Sequence, residues 1–197
     1  MRAHRRRMQE FSFREKKKIL TPELVREILS WIVYTLIAIF FAFVFVTAFG
    51  LRLPVSGGSM SPVLENGDGV LVDRLVYRVV DPVRGDVVAF QPNGNQKSHY
   101  YIKRVMAVPG DRVQIKNGVL YVNGEADLED AMARGTIQDA GIAEKELVLG
   151  EDEYFVMGDE RSSGEDSRSA NVGPIAQSLI VGRCWFRLGR EESGLIR

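Results

Sequence analysis

The chain has 197 residues, 45% of them hydrophobic, with 26 Lys and Arg balanced by 26 Asp and Glu. That composition excludes a disordered tail, a collagen and a coiled coil, and the length suits one ordinary domain or two small ones. Cys184 is the single cysteine and His4 and His99 the two histidines. An internal disulfide and a multi-cysteine zinc or iron–sulfur site are therefore excluded, and a Ser-His-Asp triad would have to use one of those two imidazoles.

The neutral total hides an asymmetry. Residues 1–27 open with a basic segment in which Arg2, Arg5, Arg6, Arg7, Arg14 and Lys16 to Lys18 outnumber Glu10 and Glu15. From Ile28 to Leu51 no residue is charged. As a helix this stretch reaches roughly 36 Å, against a bilayer hydrocarbon core of roughly 30 Å. It reads as a transmembrane anchor over residues 28–51. A buried core helix would need apolar cover on every side, and a cleavable secretory signal ending at Val46-Thr47-Ala48 has a shorter apolar region and a shorter basic head. With the basic cluster ahead of the span, the positive-inside rule places the N-terminus in the cytoplasm and residues 52–197 outside the cell membrane, as a single-pass protein. Lys16 to Lys18 are positioned to meet anionic lipid, or to form a solvated tail.

After Pro54 short apolar stretches alternate with Gly, Pro, Asn and Asp: residues 69–73, 86–90, 100–108, 112–115, 119–122, 153–157 and 179–188. This is the pattern of strands in an all-β domain. Asn117-Gly118 and Asn123-Gly124 each predict a tight hairpin. Residues 127–147 are more polar and read as an insertion or lid with one short helix near Leu128 to Arg134. Cys184, inside the last strand, is expected to pack as a small core residue.

Three segments hold candidate chemistry. In Gly57-Gly58-Ser59-Met60-Ser61-Pro62 a glycine-rich turn can present the Ser59 hydroxyl and its amide to a carbonyl, although serine there is also an ordinary turn residue. The segment lacks the Gly-x-Ser-x-Gly elbow and the Ser-x-x-Lys pattern. In Tyr101 to Asp111, strand alternation sets Lys103 on the face of Tyr101 and Val105, with Ile102, Arg104 and Met106 opposite. A lysine among apolar neighbours is disfavoured as a cation and can serve as a base; an exposed strand lysine is the plainer alternative. The loop from Met157 to Arg168 matches a calcium loop at Asp159 and Gly164, but Arg161 occupies a ligand position and Ala170 replaces the bidentate glutamate. It is otherwise a solvated turn or an ion-pair network that stiffens a site.

In order along the chain, an N-terminal anchor, Gly58 to Leu64, Gly85 to Phe90, Tyr101 to Asp111 and Gly158 to Arg168 resemble bacterial type I signal peptidases, in a Gram-positive-like form. The resemblance extends to Val172-Gly173-Pro174-Ile175 and Ile180 to Arg183. It implies a mainly β fold, a signal-peptidase-like partly open β-barrel catalytic domain behind one transmembrane helix. It also implies a membrane-bound serine endopeptidase that cleaves N-terminal signal peptides from exported preproteins.

On this resemblance Ser59 is the nucleophile and Lys103 the general base, with Gly58, Ser59 and Met60 forming the oxyanion hole and shaping the site. Asp159, Arg161, Asp166, Ser167 and Arg168 support the sheet under Lys103. Two positions depart from the family pattern: Glu160 replaces the usual Asn, and Gly164 stands where many members place a serine that orients the lysine. Gly57 occupies a position where some members have a serine donor, so the oxyanion hole is expected to rest mainly on the Ser59 amide. No cofactor and no metal are expected. The expected partners are signal peptides with small residues before the cut, the lipid bilayer and the secretion translocon, and no nucleic acid. Two other readings stay open: a silent anchored β-domain that scaffolds export or pilus assembly, and a self-cleaving repressor-type protease, for whose DNA-binding domain residues 1–51 leave no room.

Overall fold

The computed structural model describes residues 21–92, 99–127, 135–162, 165–189 and 192–196. The basic residues 1–20, the helix expected near 128–134 and the Gly164 position lie outside them. Two compact units divide at residues 42 and 43.

Helix α1 runs Pro22–Phe49. Thr21 caps it, its Oγ1 accepting the Leu24 amide at 3.3 Å, and Pro22 occupies the first turn, where a missing N–H costs nothing. It thus starts six residues before the uncharged run, and Leu51, expected in the anchor, instead opens the first strand. Residues 22–47 are long and apolar enough to cross a membrane. The described apolar side chains of α1, among them Trp31, Phe41 and Phe43, are exposed.

The remainder is mainly β, with a half-barrel sheet. Its strands are β1 (Leu51–Pro54), β2 (Gly69–Asp73), β3 (Val87–Phe90), β4 (Tyr101–Ala107), β5 (Arg112–Lys116), β6 (Val119–Val122), β7 (Glu125–Ala126), β8 (Leu147–Val148), β9 (Glu153–Met157), β10 (Ile175–Ala176), β11 (Ile180–Leu188) and β12 (Ser193–Leu195). The large sheet follows the order β1-β2-β11-β3-β4-β9-β10, with β12 beside β11, and β7-β6-β5-β8 form the small one. Neighbours are antiparallel throughout, Lys103 facing Val88 and Arg104 facing both Val87 and Met157.

Both Asn-Gly pairs make the expected hairpins. Asn117 and Gly118 have φ of 52° and 77°, Asn123 and Gly124 54° and 85°, the double left-handed geometry of a two-residue turn that suits right-twisted strands. One face of the large sheet buries Leu53, Val55, Met60, Leu64, Val70, Val72, Ile102 and Cys184. Val88, Phe90, Val105, Tyr154, Val156 and Ile175 form a second cluster, with Tyr101 packed against it.

The small sheet packs Val113, Ile115, Leu120 and Val122 with Phe155 and Met157 of β9. Ile137 and Ala143 join that cluster and β8 extends its edge. The described part of the expected insertion or lid is therefore a wall of the small core, held by its few apolar side chains.

Candidate active site

The connection 55–68 between β1 and β2 carries Ser59. The ladder closes at its base, where Val55 donates to the Asp68 carbonyl at 2.8 Å and Gly67 to the Val55 carbonyl at 2.9 Å. Met60 and Leu64, 1% and 0% exposed, pin the loop into the core, each contributing roughly 1.5–3 kcal/mol by burial. Asp68 forms an ion pair with Arg187 of β11 at 2.8 Å, and Asn66 Oδ1 accepts the Gly57 amide at 3.1 Å. Gly57 takes φ of 84°, a backbone state that suits glycine. Anchored on both sides of the turn, Ser59 is half-buried, and its amide donates to no acceptor among the described residues.

Lys103 projects from β4. It is 3% exposed, and burial pulls its ammonium below the ordinary lysine range; Arg168 acts in the same direction, while Asp166, Glu165 and Asp159 oppose it. Ser59 and Lys103 line one cleft of about 400 Å³, together with Val55, Gly58, Met60, Ile102 and Glu165.

Behind the cleft residues 158–161 and 166–168 take part in a largely buried polar network. Arg104, the neighbour of Lys103, grips Asp159 with two bonds of 2.8 Å and donates a third to the Gly85 carbonyl at 2.8 Å. Arg168 grips Asp166 at 2.9 and 2.8 Å and donates to the Arg161 carbonyl at 2.8 Å. Asp166 Oδ2 also accepts the Gly158 amide at 3.3 Å. The Ser167 side-chain oxygen accepts the Val156 amide at 2.9 Å, and the Ser167 amide returns a bond to the Val156 carbonyl at 3.0 Å. Arg161 is buried with its guanidinium against the sulfurs of Met157 and Met106, both at 3.8 Å. Glu160 is not a stray charge, because it accepts the Ser162 hydroxyl at 2.6 Å while its amide donates to the Ser59 carbonyl at 3.0 Å.

Buried charges of this kind are tolerated only when paired and hydrogen-bonded. The network fixes β4, β9 and the Ser59 loop relative to one another. Ser59, Gly58, Met60 and Lys103 thus meet at one cleft, while Asp159, Arg161, Asp166, Ser167 and Arg168 lie buried behind it. Glu165 and Arg104 were not singled out from sequence. Arg104 had a signal, since a charged residue in a strand apolar on both faces demands a buried partner; Glu165, in a polar run, had none.

Comparison with known proteins gives a concordant result. The family described as signal peptidase, peptidase S26, matches residues 28–188. Signal peptidase IB of Staphylococcus aureus (strain COL) is 35% identical over 178 aligned positions, covering 82% of this chain and 90% of that one. Signal peptidase I P of Bacillus subtilis subsp. natto is 35% identical over 162, covering 79% and 85%. A crystal structure of a signal peptidase I from Enterococcus faecalis V583 is 27% identical, covers 53% of this chain and 97% of that chain, and superposes with a TM-score of 0.42. The chain belongs to the S26 signal peptidase family of serine endopeptidases.

Proposed function

We propose that Ser59 and Lys103 form a catalytic dyad with which this chain, anchored in the membrane by α1, cleaves signal peptides after small residues. The observation that carries the reading is Lys103, buried, shifted toward its neutral form and lining the same cleft as Ser59. A serine hydroxyl needs a base to become a useful nucleophile, and a neutral lysine amine supplies one without histidine.

In this mechanism Lys103 Nζ takes the Ser59 proton as Oγ attacks the scissile carbonyl. The developing oxyanion is met by the Ser59 amide, in the turn shaped by Gly58 and buried Met60. The resulting ammonium returns its proton to the leaving amine, leaving an acyl-enzyme on Ser59. Lys103, neutral again, takes a proton from water, whose oxygen attacks the ester; the proton then passes to Ser59 Oγ as the acid departs. Asp159, Arg161, Asp166, Ser167 and Arg168 act as support, holding β4 and the Ser59 carbonyl in register rather than touching the substrate.

The apolar helix supports a bilayer as partner, with the N-terminus cytoplasmic and residues 52–197 on the opposite side, where substrates emerge from the translocon. Small side chains before the cut follow from how close the peptide backbone must come to the Ser59 turn, lying as an added strand. The test is cleavage of a preprotein by the purified full chain in detergent. Wild-type protein should cut at the signal-peptide junction, and Ser59→Ala and Lys103→Met should not, while remaining folded by circular dichroism. Undiminished cleavage by Ser59→Ala would overturn the reading.

A further inference from the structure

Among the described residues lining the cleft, one carboxylate is present, Glu165. Its neighbour Asp166 is fully buried and spends its oxygens on Arg168 and the Gly158 amide. Glu165 is exposed, and Oε2 accepts the Tyr101 hydroxyl at 3.4 Å. Burial, and then Glu165 itself, push the Tyr101 phenol up, so Tyr101 remains a neutral donor that steadies the carboxylate without cancelling its charge.

Lys103 does not cancel it either in the state that reacts. The base must be neutral to accept the Ser59 proton, so a substrate meets a cleft whose described lining presents Glu165 as an uncompensated negative charge. We infer that Glu165 is a specificity-determining residue, favouring basic and disfavouring acidic side chains in the substrate segment that crosses the mouth of the cleft. The inference rests on the assignment of this cleft as the proteolytic site.

An exposed charge in water acts modestly, and salt screens it. A Lys side chain against a Glu side chain at the same substrate position should therefore differ by about threefold to tenfold in kcat/KM at low ionic strength, chiefly through KM.

The experiment uses quenched peptides with small residues before the cut and Lys, Gln or Glu placed singly at positions within three residues on either side. Cleavage is measured with wild type, Glu165→Gln and Tyr101→Phe, and binding by anisotropy to Ser59→Ala with and without Glu165→Gln. In at least one position wild type should prefer Lys over Glu, and the preference should fall to near unity in Glu165→Gln and in half-molar salt. Tyr101→Phe, which keeps the carboxylate, should retain it. A loss that scales all peptides equally in Glu165→Gln would reveal a purely structural role and overturn the inference. So would a charge preference that Glu165→Gln leaves intact, or no preference at any position in cleavage and binding alike. Failure of the dyad is read separately, from cleavage that persists in Ser59→Ala.

Discussion

The carbonyl oxygen of Ser59 fills the space that a side chain on Gly158 would need. A Cβ at Gly158 would fall inside the van der Waals surface of that oxygen, while the Glu160 amide donates to the same carbonyl at 3.0 Å. The backbone of Ser59, the proposed nucleophile, is thus seated on the turn that follows β9. Gly158→Ala should push the Ser59 turn outward, lowering kcat/KM by about a hundredfold, since a misplacement near 1 Å costs about that much. Thermal unfolding should show a loss of about 1–3 kcal/mol, the usual cost of overpacking. Full activity in this variant would show that the contact does not set the geometry of the nucleophile.

As the proposed base, Lys103 would link catalysis to pH and to stability through one displaced equilibrium. Burial lowers its pKa in the folded protein, with Arg168 assisting, whereas in the unfolded chain it titrates near about 10.4. Between those two values the unfolded state binds more protons, so this group's contribution makes stability rise with pH over that interval; the penalty is fully present below the folded pKa. Lys103→Met removes the penalty at similar volume. It should melt at higher temperature than wild type at neutral pH, with the advantage shrinking as pH approaches ten, while activity is lost. Wild-type kcat/KM should climb with pH as the amine deprotonates and level off below the ordinary lysine range. Because Glu165 favours the ammonium, Glu165→Gln should move that limb to lower pH, and a shift upward would contradict the assignment.

Asp166 and Arg168 are 0% and 3% exposed, so neither charge can turn to water if the other is removed. Asp166→Asn should cost roughly 3–5 kcal/mol, the penalty for leaving a buried cation without its countercharge. It also weakens the bond that holds the Gly158 amide at 3.3 Å, and activity should fall with stability. The double variant Asp166→Asn with Arg168→Met should recover part of the loss, because the stranded charge is gone. Equal instability in both, by urea unfolding, would show that the pair's geometry matters beyond its charge.

Three strands were delimited to the residue because they carry short apolar runs: 69–73 and 153–157 in the large sheet and 119–122 in the small one. β7, β8 and β10 were not, since two-residue strands have no period to detect. Only the first residue of β1 falls within the expected anchor, because Leu51 continues the apolar run; its backbone pairs with Val72 instead. Ser59 and Lys103 stood out by motif, yet their shared cleft depends on long-range contacts no local pattern contains: Asp68 with Arg187, Arg104 with Asp159, and Glu160 with the Ser59 carbonyl.

His99 lines the same cleft as Ser59, which makes it the natural competitor for the role of base. A histidine base needs a carboxylate or carbonyl to fix its tautomer and steady the imidazolium. Among the described residues none bonds to the His99 side chain, which lies exposed at the rim. Lys103, by contrast, is enclosed and held on a strand whose register is fixed by β3 and β9. His99→Ala should therefore keep kcat/KM within a few-fold of wild type. Lys103→Met should lose the general-base contribution, at least about a hundredfold to ten-thousandfold. Lys103→Arg should be as damaging, because a guanidinium keeps its proton at any usable pH. Single-turnover cleavage of one peptide by all three variants separates the two bases: a thousandfold loss in His99→Ala beside an active Lys103→Met would transfer the role to the imidazole.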